Sequence, residues 1–180
     1  MKIMSFNTQH CLNYLEQKID FQIMADAILT CEADIVGLNE MRNTGEYEDY
    51  VDQTGILSEL TGLENHYFAQ AIRFHGGKNP YGNALLSRYP LKSVETILVP
   101  DPEPQAYDGY YETRCLLKAK LENGLTVLVI HFGLNPDEQE NAVKTILANL
   151  EEEKCILMGL NMRLKMMCRY GCVLATMGLR

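Results

Sequence analysis

The 180-residue chain is long enough for one domain with its own core, and its 47% hydrophobic and 22% charged composition is that of an ordinary globular protein. A net charge of −8, from 24 acidic and 16 basic residues, disfavours a sequence-independent nucleic-acid surface. No apolar run is long enough to cross a bilayer and no signal peptide precedes the first strand, so stable membrane insertion is not expected and a reducing cytoplasm is the expected compartment.

The chain opens on a short strand, residues 2–7. Residues 19–30 follow with Ile19, Ile23, Met24, Ala27 and Ile28 at helical spacing. "DIVGLNE", 34–40, reads as a strand apolar on both faces and ending in Glu40. A polar loop over 41–50 leads to a helix over 51–61, and "HYFAQAIRF", 66–74, is a strand. The turn "HGGKNPYG" precedes a strand in "NALLSR", and "SVETILV", 93–99, is another. A proline-rich loop over 101–110 separates this from "ETRCLLKAKL" and "LTVLVIHF", two strands joined by the hairpin turn "ENG". The clearest helix is 136–150, with Asn135 as cap, Pro136 in the first turn and Glu138 completing a capping box. Its expected buried face is Ala142, Val143, Ile146, Leu147 and Leu150. After a polar break, "CILMG", 155–159, is the last clear strand.

Strands outnumber helices, and hairpins mix with crossovers, which predicts an α/β sandwich rather than a doubly wound parallel sheet. The six cysteines, at 11, 31, 115, 155, 168 and 172, form no CxxC pair and no zinc-finger spacing. Cys115 and Cys155 lie inside apolar strands and are expected as small core residues. From Asn161 onward the chain carries four methionines, two cysteines and no acid. Residues 1–160 therefore read as the domain and 161–180 as an atypical tail. That tail is either an element packed on the core, with a helix over 161–169, or residues foreign to the fold, as after a reading-frame error.

Several strands end in, or carry, a polar side chain: Asn7, Glu40, Arg114 (inside its strand) and His131, with Asn161 following the Gly159 strand. Taken singly, each has a plain explanation: a turn residue, a solvated end, an ion pair with Glu112, a satisfied core histidine. Taken together they supply what phosphate-ester chemistry requires. A carboxylate with an amide oxygen beside it holds Mg²⁺. A guanidinium grips phosphate oxygens at two points. An imidazole handles the charge that develops in transfer.

The segments "IMSFN", "ADIVGLNE", "YGNALLSRYP", "TRCLLKAKL", "TVLVIHFGLNPDEQENAV" and "CILMG" carry a resemblance to the endonuclease/exonuclease/phosphatase superfamily, the group with the deoxyribonuclease I fold. They occur in the family's order and cover about residues 1–162. The resemblance implies two mostly antiparallel sheets flanked by helices, with the site at one edge of the sandwich. It also implies roles. Glu40 is the main ligand of Mg²⁺ (or Mn²⁺), Asn7 contacts the cation or the phosphate, and Arg114 binds the scissile phosphate. His131 is one of two histidines around it, and Asn83 lies beside the cleft.

The resemblance fails at Leu160, where the family runs Gly-Asp-aromatic-Asn and this chain reads Gly159-Leu160-Asn161-Met162. Either Leu160 replaces the Asp and Met162 the Asn, or one residue is deleted and Asn161 keeps the Asn role. Both lose the carboxylate that positions or deprotonates the attacking water. The family's final Asp-His pair is also missing, since none of the four histidines (His10, His66, His75, His131) follows an Asp. The sequence thus predicts a C-terminally truncated Mg²⁺-dependent phosphodiester hydrolase with impaired activity, or a non-catalytic remnant keeping a metal- and phosphate-binding cleft. Self-association through an exposed sheet edge is expected, while a nucleic-acid partner is not favoured by charge.

Overall fold

The computed structural model describes residues 1–150, 154–160 and 173–174, the last three of these residues (160, 173 and 174) by backbone alone. Four strands form the first sheet: β1 (Ile3–Asn7), β4 (Ile35–Arg42), β5 (Asn65–Arg73) and β6 (Asn79–Ser87), in the order β1-β4-β6-β5. The second sheet has the order β11-β10-β9-β8-β7, from β7 (Leu91–Leu98), β8 (Cys115–Leu121), β9 (Thr126–His131), β10 (Cys155–Leu160) and β11 (Val173–Leu174). A small ribbon, β2 (Leu12–Asn13) with β3 (Lys18–Ile19), follows a 3-10 turn at Gln9–Cys11. The helices are α1 (Phe21–Thr30), α2 (Gln53–Thr61), the single turn α3 (Phe74–Gly77) and α4 (Pro136–Asn149).

The layers follow from which side chains are apolar on which face. Val36, Leu38 and Met41 of β4 meet Met24, Ala25 and Ile28 of α1 and Leu57 of α2 on the outer side of the first sheet. Ile35 and Leu85 face Leu117, Val127, Val129 and Met158 between the sheets. Leu116, Leu128, Ile130 and Leu157 cover Ala142 and Ile146 of α4. The result is the expected α/β sandwich, with helices on both outer faces. Gly37 sits where the sheets approach closely: a Cβ there would lie 2.9 Å from Met158 Cε and 3.1 Å from Val129 Cγ2.

Strand direction brings the site together. β1 runs parallel to β4 with Asn7 opposite Asn39, and β9 runs parallel to β10 with His131 opposite Leu160. The C-terminal ends of β1 and β4 and that of β9 meet at one edge of the sandwich, through the contacts Asn7–Glu40 and Glu40–His131.

Several boundaries differ from those expected. β6 begins at Asn79, four residues before Asn83. The turn is completed by Gly76 and Gly77, both at positive φ, and Asn79 is buried, its Oδ1 accepting from the backbone N–H groups of Glu46 (3.0 Å) and Tyr47 (3.1 Å). Arg114 lies just before β8 rather than inside it. Its carbonyl accepts from Val99 N (2.9 Å), but the next residue on that side is Pro100, which has no N–H to continue the ladder. Ile19 belongs to β3, because Asp20 caps α1 by accepting from Ile23 N at 3.1 Å. Ile23 and Leu147, expected on buried helix faces, are 47% and 54% exposed. α2 buries Gln53, Thr54 and Ser58 beside Leu57, so its apolar stripe is faint in sequence. Cys115 and Cys155 are buried as expected. The expected helix over 161–169 lies outside the described residues. Of the tail, only the backbone of Val173–Leu174 is described, beside β10.

Candidate active site

Glu40 owes its position to a defect in β4. Pairing with β6 shifts register between Leu38 and Met41, and Glu40 has φ 61°, in the left-handed region. Leu38 and Met41 both face the α1–α2 layer, while Asn39 faces the other sheet. Regular alternation would send residue 40 into the helical layer. The bulge inserts one residue and re-aims it into the cleft. Such backbone strain in a non-glycine residue concentrates at functional sites.

Asn7 Nδ2 donates to Glu40 Oε1 at 2.7 Å, while Asn7 Oδ1 accepts from Gln9 N at 2.9 Å. Glu40 Oε1 also lies 3.7 Å from His131 Nε2. On the far side of the ring, Arg114 Nη1 is 3.1 Å from His131 Nδ1 and 2.6 Å from Glu112 Oε1. The structure thus joins Asn7, Glu40, His131 and Arg114 in one line. Asn83 is not part of it. It is buried between the sheets, accepting from Asn39 Nδ2 at 2.8 Å and donating to the Cys115 carbonyl at 3.0 Å, behind the residue that precedes Glu40. Asn161 lies outside the described residues.

Burial and the adjacent Arg114 push His131 down to about 3 from 6.5, so the ring is neutral near pH 7. Arg114 has only donors, so Nδ1 accepts and Nε2 carries the proton, facing Glu40. Burial raises the Glu112 carboxyl; Arg114 opposes this, and Glu40 and Glu138 add to it. Arg114 Nε and Asn39 Oδ1 are buried without a hydrogen-bond partner among the described residues. An unpaired buried guanidinium nitrogen at the cleft is a donor available to an anion.

The sequence reading missed Tyr81, Glu112 as a cleft residue, and the bond that ties Glu138 to Glu112. Tyr81 pairs with Arg42 across β4 and β6, and burial together with Glu40 and Glu112 raises its phenol. Its signal was the two-residue spacing from Asn83 on one strand, hidden because 75–82 reads as a turn. Glu138 supports the loop before β8 as well as capping α4. It accepts from Asn135 N at 3.0 Å, Asn135 Nδ2 at 2.8 Å and Glu112 N at 3.3 Å.

The Glu40 carboxylate suits a hard cation that keeps most of its own waters, while Asn7 meets that carboxylate through Nδ2, its Oδ1 accepting from Gln9 N. No group of three His, Cys, Asp or Glu side chains able to hold a metal occurs among the described residues. Nor is any helix among them long and apolar enough to cross a membrane.

The fold is shared with known structures. An endonuclease/exonuclease/phosphatase from Beutenbergia cavernae is 20% identical, with a TM-score of 0.71 over 86% of this chain and 45% of its own. A mannosyl-6-phosphatase from Bacteroides thetaiotaomicron is 14% identical, with a TM-score of 0.57 over 87% and 63%. TDP2 from Caenorhabditis elegans is 16% identical, with a TM-score of 0.56 over 89% and 47%. The chain thus spans less than two thirds of each of these proteins. No curated protein matches the sequence. The model of the Endonuclease/Exonuclease/phosphatase family matches residues 4–123, well over half of the chain. By that match, and by the sandwich that carries the cleft, the chain belongs to the endonuclease/exonuclease/phosphatase family.

Proposed function

We propose that the cleft hydrolyses a phosphodiester with the help of Mg²⁺ or Mn²⁺. The observation that carries this reading is the line Asn7–Glu40–His131–Arg114, which sets a carboxylate and a guanidinium on either side of a neutral imidazole. Glu40 would hold the cation, with Asn7 orienting the carboxylate through its 2.7 Å bond. When bound, the cation polarises the phosphoryl oxygens and neutralises charge developing on them. Arg114 would take a phosphate oxygen through Nε. The Nε2 side of His131 faces Glu40 across 3.7 Å, at the end of the line where the cation would sit. A fold shared with a protein named mannosyl-6-phosphatase supports phosphate-ester chemistry in general.

A second reading has one observation in its favour. Residue 160, beside His131 in the sheet, is a leucine, so this strand end offers no carboxylate to activate water. The cleft would then bind a cation and a phosphate without turnover. Hydrolysis of bis(4-nitrophenyl) phosphate decides between them. The hydrolase reading expects slow, Mg²⁺-dependent turnover that disappears in Glu40→Ala, lowered by ~10²–10⁴ for the missing general base. Mg²⁺ binding without any turnover would leave the binding reading.

A further inference from the structure

Glu112 has no part in the reaction as described, yet it occupies the cleft. Its Oε1 lies 2.6 Å from Arg114 Nη1, and both side chains are 10% exposed. The same Nη1 faces His131 Nδ1 at 3.1 Å. Two protein acceptors therefore hold one edge of the guanidinium before any ligand arrives. Glu112 Oε2 accepts from the Tyr110 hydroxyl at 3.3 Å, so both carboxylate oxygens face donors, which suits an ionised group. Buried Glu138 stands behind it, with Oε1 3.3 Å from Glu112 N, and Glu40 stands beyond His131. Glu112 is the carboxylate in contact with the guanidinium, while Glu138 and Glu40 each stand one residue further out.

Resting on the phosphoesterase reading above, we infer that Glu112 selects the charge of the phosphate group, favouring a singly charged diester over a doubly charged monoester. Arg114 is already balanced by Glu112. A divalent cation on Glu40 offsets the two remaining carboxylates, which leaves no surplus positive charge. A monoanionic diester adds one negative charge that Nε, without a partner among the described residues, and the cation can share. The second charge of a monoester meets Glu112 at close range in a partly buried cleft, where repulsion is weakly screened. The fold itself does not choose, since one solved relative is a mannosyl-6-phosphatase. The charge set at the cleft does.

The test compares methyl phosphate with dimethyl phosphate by calorimetry on the whole chain, with Mg²⁺ at about pH 8, where the first is a dianion and the second a monoanion. The wild type is expected to bind dimethyl phosphate more tightly. Glu112→Gln keeps the size of the side chain and removes its charge, and is expected to shift the affinity ratio by about tenfold toward methyl phosphate. Glu112→Asp keeps the charge and is expected to hold the ratio within about twofold of wild type. A merely structural role would move both ligands alike. A wild type that prefers methyl phosphate, a ratio unchanged in Glu112→Gln, or a ratio moved equally by Asp and Gln overturns the inference. If Glu112→Gln does not fold, Glu112→Ala is read in its place, with the same shift toward methyl phosphate expected and an unchanged ratio overturning the inference. A wild type that binds neither ligand and hydrolyses no diester would remove the phosphoesterase reading itself, a distinguishable outcome.

Discussion

Glu40 combines an acidic side chain with a left-handed backbone, φ 61°, at the point where β4 and β6 lose register. Its carboxylate is aimed by that bulge and by Asn7, so the two residues act as one unit. Asn7→Ala is therefore expected to weaken Mg²⁺ binding by several-fold while leaving the fold intact, as titration calorimetry and a thermal melt would show together. His131 supplies a second prediction. Burial beside Arg114 holds it neutral, with titration near pH 3 rather than 6.5. Its ring resonances in a ¹H–¹⁵N spectrum are expected to show Nε2–H and no titration between pH 5 and 8. A midpoint near 6.5 would mean that the ring is solvated and the cleft more open than described. These residues were legible in sequence because strand ends carry them. The ion pair of Arg114 with Glu112 was legible too, two residues apart, but Tyr81 reaches the cleft only through pairing with the distant strand β4.

Elements position these groups through backbone packing that leaves little room. A Cβ on Gly82 of β6 would lie 2.0 Å from the Ala69 carbonyl oxygen and 2.9 Å from Ala71 N. Both are backbone atoms of β5, which can yield only by opening the sheet. Gly82→Ala is expected to destabilise the chain by about 3 kcal/mol in chemical denaturation. Gly37→Ala should cost much less, because the nearest atom is the end of the flexible Met158 side chain. The start of α4 makes a different demand. Glu138 closes the helix N-terminus and also receives Glu112 N, tying the loop before β8 to the helix. Glu138→Ala is expected to lose about 1–2 kcal/mol, as for a lost cap, and to loosen the loop, seen as faster hydrogen exchange at Glu112. The capping box was readable from Asn135 and Glu138 alone, whereas the bond to Glu112 needed the fold.

Across the whole molecule, buried His131 and half-buried His10 make stability depend on pH. His131 titrates near 3 and His10 near 4 in the folded chain, against 6.5 for an ordinary histidine. Above 6.5 neither state is protonated, and the full stability is present. As pH falls below 6.5 the unfolded chain binds protons that the folded chain cannot, so stability is lost down to the folded values. Glu112 acts with the opposite sign, since its raised carboxyl favours the folded state on acidification. For His131 alone the loss by pH 5 is on the order of 2 kcal/mol, or about 6 °C in the melting temperature. A melting temperature unchanged between pH 7 and pH 5 would contradict this account.

Local pattern alone was enough for much of the chain. Alternating and continuous apolar runs placed most of the long strands, Asn135-Pro136 and Glu138 started α4, and the polar strand ends named Asn7, Glu40 and His131. These features depend on near neighbours in the chain, so residue order contains them. Tertiary structure alone decided three other things. It placed the Glu40 bulge, because register with β6 depends on residues some 40 positions away. It set Asn83, expected beside the cleft, in a buried contact with Asn39 and Cys115, because a strand residue's face is set by its partners. And it placed the Arg114–Glu112 pair, which the sequence offered as a plain ion pair, in the cleft, because only the packing of β8 against β9 and α4 brings His131 and Glu138 to it.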